Sequence, residues 1–88
     1  MEERVFKSGD IVTQFKRETL SQEEKDANMY LYKIIGIAQH SETKEKLMVY
    51  QAMYDMEFMC ARPLDMFMSE VDREKYPDIK QKYRFELD

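Results

Sequence analysis

Eighty-eight residues, 43% hydrophobic and 36% charged, hold enough apolar material for one small core and no more. The net charge of −4 is spread through mixed runs such as KRE, EEKD, KEK and DREK, leaving no long basic stretch. Nucleic acids and anionic membranes are therefore disfavoured as partners. The apolar runs IIGIA and LMVY fall far short of the ~18 residues a membrane span needs. MEERVFKSGD lacks the apolar stretch of a signal peptide. Cys60 has no second cysteine to pair with, so a reducing, cytoplasmic setting is the expectation.

In chain order, SGDIVTQFK opens with a turn and then alternates, which predicts a first strand with Ile11, Thr13 and Phe15 on one face. The polar stretch 17–28, RETLSQEEKDAN, reads as an inserted loop. Ser21 and Glu24 are spaced as a helix-capping pair, but only Leu20 and Ala27 are there to bury. MYLYKIIGIA, 29–38, is β-branched and aromatic and predicts a second strand, with Gly36 marking a bulge or bend. The octet QHSETKEK has the length and polarity of a hairpin connection.

LMVYQAMYD, 47–55, is the next strand. It has Met48, Tyr50, Ala52 and Tyr54 on one face and Leu47, Val49, Gln51 and Met53 on the other. MEFMCAR supplies a short partner that ends at Pro63, which lacks a donor and holds Arg62 extended. PLDMFMSEVD predicts a helical turn returning Leu64, Met66 or Phe67 to the core. REKYPDIKQ reads as a polar loop, and KYRFELD as a closing strand with Tyr83, Phe85 and Leu87 on one face. These elements predict one mainly β domain over 1–88: a strongly curved, five-stranded, SH3-like barrel with one short helical turn, an OB-like barrel being the alternative.

YKIIGIAQHSETKEKLMVYQAMY followed by RPLDMF resembles a small bacterial domain-of-unknown-function family. That family carries a G-(I/V)-A-x-H-(S/T)-E-T pattern, then V-V-Y-x-A-L-Y and R-P-L-x-M-F. His40, Glu42, Thr43, Tyr50, Arg62, Pro63, Met66 and Phe67 sit in register with it, and the likeness runs from Tyr32 to Phe67. The resemblance implies an SH3-like barrel and no established activity. Two departures stand out: the extra segment 17–28, and Cys60-Ala61 where the family usually has an aromatic and a β-branched residue.

The chemistry available is sparse. His40 beside Glu42 has the makings of a general base, but catalysis also needs a nucleophile and an electrophile-stabilising group within reach. The bland alternative is that His40, Ser41 and Thr43 bond the turn backbone. Ser41 to Lys44 matches S-x-x-K by accident, since it lies between strands and not at a helix start. Cys60 in an apolar strand is expected as a small core residue. One histidine and one cysteine do not make up a zinc ligand set. Arg62 is expected to pair with Glu42 or Asp65, or to face a partner's anion.

The reading is therefore a non-enzymatic module without cofactor or metal, binding a protein or peptide, with a second copy of the chain among the candidates. The expected binding surface comprises His40, Glu42, Thr43, Tyr50, Arg62, Met66 and Phe67. A small-ligand binder or weak hydrolase using His40, Glu42 and Arg62 is the alternative, and nucleic-acid binding comes last.

Overall fold

Met48, Tyr50 and Ala52 are buried in one row, as alternation along an antiparallel strand requires. In the computed structural model, which describes residues 5–88, that row lies on the inner face of β3, Lys46–Ala52. The other strands are β1, Ile11–Gln14; β2, Leu31–Gln39; β4, Met59–Pro63; and β5, Phe85–Leu87. They form one sheet in the order β4-β3-β2-β1-β5, with every pair antiparallel. Two short α-helices, α1 (Gln22–Asp26) and α2 (Leu64–Phe67), complete the regular structure with a 3₁₀ helix at Phe15–Thr19. Residues 1–4, the start of the stretch read as lacking a signal, lie outside the described residues.

The expected closed barrel is corrected to an open sheet. Among the described residues no ladder joins β4 to β5, the two ends of the strand order. Physically, β5 is only three residues long and all of them pair with β1. The two edges instead approach through side chains, with the Arg62 guanidinium 5.8 Å from the centroid of the Phe85 ring.

The inner face holds the core: Val12, Tyr32, Ile34, Met48, Tyr50 and Ala52 from the sheet, Phe67 from α2 and Phe85 from β5. Phe67 and Phe85 stack face to face, centroids 4.0 Å apart at 8°, and Phe6 meets Phe67 edge-on. Of the three residues expected to return from the helical turn, Phe67 is fully buried, Leu64 is half-buried and Met66 is exposed. β2 slips register between Ile34 and Gly36, making Ile35 the extra residue of a bulge. That agrees with the reading of Gly36.

Three expectations differ in detail. β1 ends at Gln14 because the chain coils into the 3₁₀ helix at Phe15, which leaves the face of Ile11 and Thr13. The 17–28 stretch, expected as a loop, carries α1, because both halves of the Ser21–Glu24 capping box are made. Arg17 also donates to the carbonyls of Lys25 and Met29, although α1 itself buries nothing. β3 ends at Ala52, not Asp55, because the Gln51 amide turns the chain. It donates to the carbonyls of Asp55, Met56 and Phe58 at 3.2, 2.8 and 2.9 Å.

The closing strand expected over 82–88 is confined to Phe85–Leu87. The stretch 69–84, whose central part REKYPDIKQ (73–81) is expected as a polar loop, is a folded excursion with its own small core. Val71 and Ile79 are buried with Phe15, and Tyr76 packs beside them, its ring 4.8 Å from that of Phe15. Side chains hold its backbone. Glu18 accepts from the amides of Lys80 and Gln81 at 3.0 and 2.7 Å, and Arg73 donates to the carbonyls of Ile79 and Gln81. A Glu70–Tyr83 bridge closes the base of the excursion.

Phe85→Ala removes the ring that touches Phe67, Tyr50 and Tyr32. It is expected to cost about 3–5 kcal/mol in urea unfolding. Met59→Ala, at a 57% exposed position on the edge strand, is expected to stay within about 0.5 kcal/mol.

Candidate functional site

The β2–β3 connection spends its polar groups on itself. The amide of His40 donates to Glu45 O at 2.7 Å and the amide of Lys44 to His40 O at 2.9 Å. The Nδ1 of His40 accepts from the amides of Glu42 and Thr43, both at 3.2 Å, an imidazole standing where an Asx-turn carboxyl usually stands. Thr43 Oγ1 accepts from the amide of Glu45, and Lys44 takes a left-handed φ of 65°. This is the bland reading of the cluster: His40 shapes the turn, and its Nδ1 is held by two backbone donors and not by the Glu42 carboxylate.

Arg62 sits across from Met48 on the inner side of the sheet. Its Nε donates to Tyr50 Oη at 3.2 Å, and its guanidinium lies over Phe85. The expected pair with Glu42 or Asp65 is not formed, because both carboxylates belong to exposed positions and Arg62 points inward. Burial raises the Tyr50 hydroxyl above the ordinary tyrosine range, opposed by the Arg62 charge. Burial raises Tyr32 further, helped by its 3.3 Å hydrogen bond with Tyr54. These phenols are therefore neutral hydroxyls at any physiological pH.

Arg62 leads into a cavity of about 170 Å³ where four separate segments meet. Gln14 ends β1, Phe15 and Lys16 begin the 3₁₀ helix, and Asp72, Lys75 and Tyr76 come from the excursion. Arg84 stands just before β5. Four cationic side chains thus face one carboxylate, in a chain whose net charge is −4. None of the four forms an ion pair among the described residues: Arg62 is held by Tyr50 and Phe85 alone. Two lining residues carry buried polar atoms without a partner, Arg84 Nε and Gln14 Oε1. A buried unsatisfied donor costs about 1–3 kcal/mol, so this corner is built against its own stability.

Of the residues expected to bind, Arg62 alone lines this cavity. His40, Glu42 and Thr43 lie in the hairpin, Tyr50 and Phe67 are buried in the core, and Met66 is exposed on α2. The weak-hydrolase alternative required His40, Glu42 and Arg62 around one cavity, and the structure does not bring them together there. Gln14, Lys16, Lys75 and Arg84 were missed. They come from segments up to seventy residues apart, each looking like an ordinary polar position. Among the described residues no three His, Cys, Asp or Glu side chains cluster as a metal site, and no helix is long and apolar enough to cross a membrane.

The fold and pocket define a mainly β, single-sheet domain with a cationic cavity where its two edges approach. Residues 15–87 match a family described as a protein of unknown function, DUF1653, and the chain belongs to that family. The match runs through the 17–28 segment and through β2 to β5, and begins just after β1. No curated protein and no solved structure matches the chain.

Two outcomes test the roles assigned here. His40→Asn keeps an acceptor for the turn amides and is expected to hold stability within about 0.5 kcal/mol, whereas His40→Leu loses about 1 kcal/mol; chemical denaturation of both variants decides. In an alkaline titration, Tyr32 and Tyr50 keep their protons in the folded state at pH values where an unfolded chain loses them. Stability therefore falls as pH rises above about 10, and Tyr32→Phe should flatten that fall. Tyrosinate absorbance and urea midpoints from pH 9 to 11 would show it.

Proposed function

We propose that this protein is a non-catalytic binding module that takes a peptide segment along β4 and seats one anionic side chain of it in the cavity at Arg62. The observation that carries this reading is the set of four cations, none in an ion pair among the described residues, around a cavity that also holds an unpartnered donor, Arg84 Nε. An anion satisfies that arrangement, since a charge-assisted hydrogen bond is the strongest partner for a buried guanidinium.

Two features favour a peptide as carrier. The outer edge of β4 pairs with no other strand among the described residues, so it is open to addition of an extended segment. Arg62 is part of that strand and faces inward, so a side chain crossing the edge beside it reaches the cavity. The volume suits a single side chain, being well below the ~300 Å³ at which pockets begin to hold whole drug-sized ligands. The lining holds no Ser, Thr, Cys or His, and binding, not turnover, is the reading proposed.

Titrating isotope-labelled protein with a degenerate library of acidic hexapeptides, at matched ionic strength, tests the reading. Amide shifts are expected at Gln14, Lys16, Arg62 and Arg84 and along 59–63, and Arg84→Gln should weaken them at least about fivefold. Shifts confined to the 40–45 hairpin, or none beyond those of sodium chloride, would refute it.

A further inference from the structure

We infer that the anionic group this cavity accepts is a phosphomonoester on a peptide side chain. The inference rests on the peptide-binding reading above and goes on to name its ligand class.

Charge is the first argument. A peptide carboxylate brings one negative charge to a site with four cations and one carboxylate, leaving most of the imbalance in place. A phosphomonoester brings about −1.5 to −2 at pH 7, offsetting half or more of the imbalance.

Geometry is the second. The cations do not come as a planar fork from one side. Arg62 comes from β4, Arg84 from the run into β5, Lys16 from the 3₁₀ helix and Lys75 from the excursion. A carboxylate offers two oxygens in one plane, whereas a phosphomonoester offers three acceptor oxygens arranged tetrahedrally, able to meet donors from several directions. Arg62 is already oriented by Tyr50 and Phe85, so one donor is positioned before any ligand arrives. Gln14 Oε1 supplies the complementary need. It is an acceptor among cations, and a peptide N–H beside the phosphorylated residue is a donor that the phosphomonoester dianion itself lacks.

Size and the whole-molecule charge narrow the carrier. About 170 Å³ admits a phosphorylated side chain, not a base, a sugar and a phosphate together. A nucleic-acid strand would set many phosphates against a protein of net charge −4, while a single dianion needs only this local cluster. Phe15 and Tyr76 form an aromatic wall beside the cations, leaving the site open to an aromatic as well as an aliphatic phosphorylated residue.

The test compares degenerate peptide libraries of equal length with phosphoserine, phosphotyrosine, Glu, Ser or Tyr at one fixed position. Fluorescence anisotropy is the readout, with inorganic phosphate and a nucleoside monophosphate as competitors. At least one phosphorylated library is expected to bind about tenfold or more tighter than the Glu library. Lys16→Gln and Lys75→Gln should each weaken it about three- to fivefold while leaving the urea midpoint unchanged. Lys75 is exposed and Lys16 only partly covered, so these variants fold even where Arg84→Gln does not. Equal affinity for Glu and phosphorylated libraries would overturn the phosphate assignment and leave the anion-binding module standing. No binding of any acidic library would overturn both. Tighter binding of the nucleoside monophosphate than of any peptide would overturn the peptide carrier.

Discussion

Phe67 stacked on Phe85 is the contact on which the rest of the molecule depends. Five strands of three to nine residues make a sheet too small to bury its inner face by curvature alone. α2 and β5 come from distant parts of the chain, and neither is long enough to be stable by itself. Their two rings, 4.0 Å apart and wholly buried, lie over Tyr50 and fasten both elements across the concave side of the sheet. With the core sealed by side chains, backbone closure is unnecessary. Among the described residues the ends of the sheet are unpaired, with an opening between them.

That opening has its character because one strand edge contributes an arginine and the other approaches as an aromatic. Arg62 rests on Phe85 and donates to Tyr50, so the same aromatic cluster that holds the fold also aims a guanidinium at the opening. The far wall is supplied by the 69–84 excursion, which is fixed by carboxylate, guanidinium and amide side chains acting on its backbone. Glu18 reaches across from the 3₁₀ helix, and Gln81 reaches back to the carbonyls of Thr13 and Tyr83. Such bonds suit a segment too irregular for a ladder, because buried backbone groups need partners wherever the chain runs.

The sequence made the sheet legible and the cavity illegible, for physical reasons that differ. Alternation of Met48, Tyr50 and Ala52 reports one buried face directly, and Gly36 reports the bulge, because both are local consequences of strand geometry. The Ser21–Glu24 spacing was visible too, and the short helix it starts was discounted only for want of apolar residues. Capping made that helix where burial did not. Gln51, by contrast, reads in the sequence only as the lone polar residue of its strand. Nothing in its neighbours announced that its amide would gather three carbonyls and end the strand. The cavity lies further from view, since Gln14, Lys16, Arg62, Lys75 and Arg84 become neighbours only after Phe15, Val71 and Ile79 assemble the second cluster. His40 is the converse case: the turn role weighed against a general base for the chain's one imidazole is visible in its two backbone hydrogen bonds.

A local excess of positive charge inside an acidic molecule has a consequence for selectivity. At physiological ionic strength, charges are screened over roughly 8 Å. A small dianion inside the cavity therefore feels mainly the four cations around it, while anything extended also feels the acidic surface. On the proposed reading, the global charge disfavours polyanions and anionic membranes, and the cavity discriminates among small anions by shape. The unpartnered Arg84 Nε and Gln14 Oε1 belong to the same logic. A buried polar group without a partner calls for an explanation, and on the proposed reading the bound anion and its peptide supply the missing acceptor and donor.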